Sequence, residues 1–497
     1  MAKLTFKGTA KQAVAAIGGD IDVGTKVTIT DNAYDAADLL AIVQATNNHP
    51  VVLEKTNSGV PLEDGAANLV EIIQGINKYT GAITVTGGTI SADDLNILAK
   101  GTTGKVTAEL VNTPIDQTLV AKLKDVSSSD NIEFTPTGTP VVGKADLEAL
   151  VTLSKKLPKT DWSGINKFEG TASEVDAIKA ALKVIDAEVE ITSGQISAAD
   201  ANALSKATGT ILTATIKTGS IKSTLAALKD IDLTAQADVL TFTTNDKTAN
   251  ASDLVALDAK ITTGDYSYIT TITEDAKNVG VAGKSVTDAL TVLGTATDVK
   301  ISGAIDTASA GAIAKDANIG TFTATVKPDT AADLVAALTG TTSAVALTLT
   351  DTTVAADDLT DLDAVTTVAI NANSVKTITG SVAEVTAAYA AATAKGINGL
   401  GNENVTITGG ATAAAGLNAV LKVTSGIVTA TVSPDSAATL VTDLADAKAT
   451  DALALTVNGA STAANLLALD GKTSVAITLP ATAAISGTAA DVKKVYA

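Results

Sequence analysis

One stretch of this sequence is written four times. Residues 81–110 read GAITVTGGTISADDLNILAKGTTGKVTAEL, and versions of the same text stand at 187–216, 299–326 and 404–432. Thr107, Thr213, Thr323 and Thr429 hold one place in it, at separations of 106, 110 and 106 residues. A second series keeps step with the first. Gly65, Gly170, Gly283, Gly380 and Gly487 each precede a helix-like segment, at separations of 105, 113, 97 and 107. Two series in phase imply a duplicated superunit of about 107 residues. In such an array each repeat buries its apolar face against its neighbours. The phase divides the chain into a partial superunit at 1–60, then 61–167, 168–279, 280–377 and 378–497.

Each superunit holds about four shorter units of about 22–28 residues, a strand and a helix joined by turns. The strands alternate an apolar residue with Thr: VTIT at 27–30, ITVT at 83–86, LTFT at 240–243, LTLT at 347–350 and VTIT at 405–408. Period two with one apolar face describes a half-buried strand. Between them the spacing turns helical, with Leu95 and Leu98, and Leu334 and Leu338, on one face. Helix starts are marked by Ser91 with Asp94, Thr171 with Glu174, Ser197 with Asp200 and Thr330 with Asp333. The hydroxyl accepts a free N–H of the first turn, and the carboxylate suits the positive helix end. Each cap contributes about 1 kcal/mol, and many of the chain's acidic residues are assigned to this work.

Strand, helix and strand at this spacing predict parallel strands joined by right-handed crossovers. A doubly wound sheet would bury both strand faces and need continuous apolar strands. These strands bury one face. The expected fold is therefore α/β: a right-handed solenoid of about twenty strand–helix turns, with helices on one side of a parallel sheet and a Thr-rich open face. Leucine-rich repeats share this layout, although their L-x-x-L-x-L-x-x-N line is absent here. The least regular segment, 155–170 with Pro158 and Trp162, is expected to be a cap, a bend or a domain boundary. Weaker breaks are read at 371–380 and 394–404.

Composition narrows the function. The net charge of −19 argues against a nucleic-acid groove, which needs clustered Lys and Arg, and against an anionic membrane surface. No apolar run approaches the ~18 residues of a membrane span, so no membrane insertion is expected. At 46% hydrophobic residues the chain should fold. The absence of Cys excludes disulfides and thiolate metal sites. Scarce aromatics and abundant Thr and Asp point to an extracellular setting. The first residues lack the apolar core and small-residue cleavage site of a secretory signal and already read as strand and helix. A strand (KLTFKGT) near one end and a helix (AADVKKV) near the other suggest end-to-end stacking of copies through unpaired strand edges.

Reactive chemistry is sparse. His49, the one histidine, cannot alone build a triad or a His-rich metal site. No G-x-S-x-G and no G-x-x-x-x-G-K-[ST] is present. Asp93 and Asp94, Asp357 and Asp358, and Asp361 and Asp363 are paired carboxylates without an EF-hand loop, and they read as caps and solvated faces. No catalytic residue and no cofactor are expected. Calcium at a repeat turn or between subunits is the one ion the acidic repeats leave open. The candidate ligand face is the row of Thr-x-Thr strands: Thr84 and Thr86, Thr213 and Thr215, Thr323 and Thr325, Thr406 and Thr408, and Thr429 and Thr431. Thr28 and Thr30, Thr241 and Thr243, and Thr348 and Thr350 repeat the pattern. Two hydroxyl ladders on an open face, interrupted where Glu109, Glu190 and Ser302 fall in equivalent strands, would suit ice or a polysaccharide, and Thr is also simply a good strand residue.

The segments TGGTISADDLNILA (86–99) and TVKPDTAADLVAAL (325–338) resemble the strand–helix repeats of large secreted bacterial surface-layer and RTX-type adhesin proteins. That resemblance implies a structural role at the cell surface. The calcium-binding G-G-x-G-x-D nonapeptides of RTX chains are absent here. Together these features predict a non-enzymatic extracellular structural protein that assembles with copies of itself into a surface layer, fibre or sheath. An adhesin or an ice- or polysaccharide-binding solenoid is the alternative.

Overall fold

The computed structural model describes residues 4–47, 49–55, 60–137 and 140–496. These residues form 27 strands and 19 α-helices. They divide into two compact units, one holding the residues up to 219 with 223–243 and 259–264, the other 220–222, 244–258 and 265 onward. Every strand pairing whose register is defined is parallel, and nearly every pair of neighbouring strands brackets a helix.

In the first unit, strands Leu62–Asp64, Ile83–Val85, Val106–Leu110 and Asn131–Phe134 pair in chain order. Helices Ala66–Gly75, Ala92–Gly101 and Gln117–Lys122 connect them. The order follows from local chemistry. Ser91 accepts the Asp94 N–H and starts one helix, and Asp116 does the same for Leu119. Leu69, Ile72, Leu95, Leu98 and Leu119 then turn toward Leu62, Ile83, Val106 and Ile132, all buried. Burying each such side chain contributes about 1.5–3 kcal/mol. Successive helices pack on one another as successive strands do. Along Val106–Leu110 buried residues alternate with half-buried and exposed ones, so only one sheet face is covered.

The second unit repeats the plan. Thr248–Asn250, Thr271–Asp275, Thr297–Ile305, Ile319–Val326 and Ala344–Ala346 form one parallel sheet. Thr353–Ala355, Thr377–Gly380, Asn404–Ile407, Val428–Thr431 and Ala452–Ala454 form another. The core beneath them is Leu, Val, Ile and Ala, as in Leu334, Leu359, Leu417 and Leu440.

Among the described residues the strands group into seven parallel sheets, where uniform turns implied one continuous ribbon. Eight coils among these residues carry two short strands each, and at several of them the pairing changes partner. Asn131–Phe134 bonds back to Val106–Leu110, and Val141–Val142 bonds forward to Phe168–Glu169. In the second unit Ala344–Ala346 bonds back and Thr353–Ala355 forward, and Ala452–Ala454 and Ser461–Thr462 do the same. The sheet therefore steps sideways at these coils, which is why strands outnumber helices. Alternation predicts a strand's faces but not where its pairing ends.

The irregular segment 155–170 lies inside the first unit, so it is not the boundary between the two. Trp162 packs edge-on against Phe134, with ring centroids 5.9 Å apart.

Candidate functional site: the open sheet face

The Thr-x-Thr residues all lie on the strand face away from the core. Thr86, Thr215, Thr323, Thr325, Thr408, Thr429 and Thr431 are exposed, and Thr84, Thr213 and Thr406 are half-buried. The four repeated copies are one superunit apart, so they are not neighbours in a sheet, and the rows across each sheet are mixed. In the first unit one row runs Glu63, Thr84, Thr107, Asn131, and another Glu169, Glu190, Thr213, Val239. In the second unit the rows are Asn250, Thr273, Lys300, Thr323, Ala344 and Ala355, Thr379, Thr406, Thr429, Ala452. The longest run of threonines in register among the described residues is therefore three, Thr379–Thr406–Thr429. Beyond the carboxylates already legible in the sequence, Lys300, Ala344, Ala355 and Ala452 interrupt the two ladders.

Charges on this face are partly matched. Lys167 bonds Glu190 and lies 3.0 Å from Glu169, and these two acceptors hold its ammonium above the usual lysine range. Glu109 and Glu133 stand directly opposite each other without that help. Thr241 donates to Thr215 at 2.9 Å. The face offers hydroxyls, carboxamides and carboxylates for hydrogen bonding on a shallow surface.

The polar chemistry that sequence reasoning missed lies between coils, partly buried and partly at the surface. Thr102, Thr208 and Thr424 follow helices, are buried, and donate to carbonyls of the preceding coil: Gly81 at 2.7 Å, Ala187 at 2.7 Å and Glu403 at 2.6 Å. Thr366 and Thr473 do the same to Val345 and Leu453. Buried Asp130, Asp238 and Asp451 each accept a strand N–H of the preceding coil, from Val106, Leu212 and Val428 at 2.8, 2.8 and 2.9 Å. Asn96, Asn202 and Asn418 clamp Asp125, Asp230 and Asp446 through two bonds each, of 2.7–2.9 Å. The Asn202 contact holds the Asp230 carboxyl below its ordinary range. The recurring texts KGTTG, KATGT and KVTSG after helices were the available signal.

The acidic pairs are otherwise engaged. Asp93 meets Lys122 at 2.8 Å, and Asp94, Asp200 and Asp333 sit in the helix starts read from the sequence. Thr171 and Glu174 make a capping box whose N–H donors hold the Glu174 carboxyl low. Asp358 is pushed up, first by desolvation and then by Asp357, Asp361 and Asp351. No group of three or more His, Cys, Asp or Glu among the described residues is arranged to hold a metal ion. His49 is half-buried in a turn, its N–H bonded to the Thr46 carbonyl. No helix among the described residues is long and apolar enough to cross a membrane.

No protein-family model matches the chain, and no curated protein matches it. Among solved structures, the plant peptide hormone receptor RGFR1 in complex with RGF2 is 10% identical over 97% of this chain and 92% of that one, with a TM-score of 0.18. The leucine-rich-repeat ectodomain of the Arabidopsis thaliana receptor kinase GASSHO1/SCHENGEN3, in complex with CASPARIAN STRIP INTEGRITY FACTOR 2, is 11% identical over 97% and 67%, with a TM-score of 0.17. At these scores neither receptor's fold nor its ligand transfers to this chain; what stands is an α/β repeat fold of parallel sheets and packed helices.

Proposed function

We propose that this chain is a non-enzymatic structural protein of the cell surface that associates with copies of itself, its coils forming one right-handed solenoid of about twenty turns. The observation that carries this reading is an uncovered apolar flank in the second unit. Helix Ala489–Val495 buries none of its residues. Beside it Leu467, Ile477, Leu479 and Val495 line a recess with Asp470 and Lys494 at its edge. Val475 is 38% exposed and Tyr496 76%. A helix such as Ala437–Asp443 instead buries Ala437 and Leu440 between a neighbouring helix on each side. A second copy seated on the flank would cover this surface, and each Å² of apolar surface covered contributes about 25 cal/mol. The cell-surface setting comes from the resemblance of segments 86–99 and 325–338 to surface-layer and adhesin repeats.

Sedimentation and electron microscopy of the purified chain test the proposal. Concentration-dependent assembly is expected, and the pair Val475→Glu and Tyr496→Ser, both at exposed positions, should abolish it without changing the circular dichroism. A particle that stays monomeric at every protein and calcium concentration refutes it. A second reading, ice or polysaccharide binding, is favoured by the Thr379–Thr406–Thr429 row, whose members stand about 4.8 Å apart. Thermal hysteresis or glycan binding lost in Thr406→Tyr, with assembly intact, would support that reading instead.

A further inference from the structure

Asparagine is followed by glycine twice in the chain, at Asn398–Gly399 and Asn458–Gly459. Without a Cβ on the second residue, its backbone nitrogen meets little obstruction on the way to the asparagine carboxamide carbon. The two pairs are held very differently. Asn398 ends a strand paired with Ile370–Asn371, and its carbonyl accepts the Ala372 N–H at 2.9 Å. Gly399 is pressed onto the neighbouring coil, where a Cβ would lie 2.3 Å from Asn373 Oδ1 and 2.9 Å from Asn373 N. Ring closure there must swing the bonded carbonyl and push into Asn373.

Asn458 lies in an exposed turn between Val457 and strand Ser461–Thr462. Its N–H is anchored to the Asp435 carbonyl at 2.9 Å. Its side chain reaches only to the Pro434 carbonyl at 3.5 Å, too far for a firm bond. Gly459 has φ of +77°, and a Cβ there would meet nothing within 4 Å.

We infer that Asn458 is a self-modifying site. The Gly459 nitrogen loses its proton to hydroxide and attacks Cγ of Asn458. The Cγ–Nδ2 bond breaks and ammonia leaves, giving a succinimide. Water opens the ring at either carbonyl, producing aspartate or isoaspartate. The balance is one water consumed and one ammonia released, with no change of oxidation state. The product places a new carboxylate beside the Asp435–Ser436 turn. The isoaspartate form also inserts a methylene into the main chain where the sheet steps from Ala452–Ala454 to Ser461–Thr462. In a long-lived surface protein this change would accumulate.

Peptide mapping by mass spectrometry, following the gain of about one dalton per event, tests the site on the full chain. In the folded protein at mildly alkaline pH, position 458 should convert at a rate close to that in the urea-unfolded chain and proportional to hydroxide. Position 398 should convert about tenfold or more slowly than in the unfolded chain, because local opening must come first. Asn458→Gln should remove the fast signal and leave the slow one. Equal rates at the two positions in the folded chain overturn the inference. So does a position 458 that keeps its amide while the unfolded chain loses it.

Discussion

Asp238→Ala asks whether a buried carboxylate is structural. Asp238 is 3% exposed. Its Oδ1 accepts the Leu212 N–H at 2.8 Å and Gln236 Nε2 at 2.9 Å, and its Oδ2 accepts Ser205 Oγ at 2.6 Å. Leu212 is fully buried, so alanine strands its N–H at a cost of about 1–3 kcal/mol. The buried Ser205 hydroxyl adds roughly 1 kcal/mol because it can rotate in search of another acceptor. Gln236 is half-buried and can turn to water. The expected loss is about 3 kcal/mol. Asp238→Asn keeps one oxygen for Leu212 and should lose only about 1 kcal/mol. In an array, energies combine between neighbouring coils, so a local readout is the cleaner one. Protection of the Leu212 amide in hydrogen exchange should fall by about two orders of magnitude in the alanine variant. An alanine variant within about 0.5 kcal/mol of the parent refutes the assignment. An asparagine variant as costly as alanine also refutes it, since the coil would then need the charge and not the acceptor positions.

Two further tests concern close approach and charge. In Gly104→Ala the new Cβ would lie 2.2 Å from the Gly81 carbonyl oxygen and 2.4 Å from its carbon, both backbone atoms. Thermal melts should show a loss of about 1–3 kcal/mol or more, whereas Gly65→Ala, at φ −65° with nothing within 4 Å, should lose at most about 0.5–1 kcal/mol, the cost of alanine for glycine at a helix start. Asp200 is held below its ordinary range, first by Lys179 and also by Ser197, against the opposing pull of desolvation. A lowered folded value means that its contribution is present above the unfolded value of about 3.9 and is lost as pH falls through the folded value. Lys179→Met should therefore flatten the acid limb of the stability profile below about pH 4, and an unchanged limb would assign the contact no role.

Periodicity made the layers legible. The Leu95–Leu98 and Leu334–Leu338 spacings, the Thr-alternating strands and the Ser or Thr helix starts gave parallel strands, crossover helices and one covered face. What stayed hidden was pairing over distance. Nothing in VTAEL reveals that Thr107 stands beside Thr84 and Asn131, because lateral register depends on where each coil's helix deposits the next strand. Nor does local text separate Thr102, turned inward to the Gly81 carbonyl, from Thr107, turned outward five residues later. Both sit in KGTTGKVTAEL, and only the start of the strand fixes which face each takes. The buried aspartates were masked for a related reason. Asp130 opens its strand's text as an ordinary turn residue, and its acceptor role depends on Val106 in the preceding coil.

The third copy of the superunit shows what these internal bonds do, because it lacks two of them. Gly311 stands where Asn96, Asn202 and Asn418 make their clamps, and Ser343 stands where Asp130, Asp238 and Asp451 accept a strand N–H. The same copy has the longest strands, Thr297–Ile305 with nine residues and Ile319–Val326 with eight, paired to each other from Thr297–Ile319 through to Ile305–Val326. Elsewhere the equivalent strands are six residues or fewer. Each main-chain bond contributes about 0.5–1.5 kcal/mol net, similar to one side-chain bond to the backbone. Two adjacent coils can therefore be tied either by a few side-chain hydrogen bonds or by a longer ladder. Here the repeat exchanges one for the other while keeping the coil spacing, as expected if selection acts on the joint between coils and not on any single side chain.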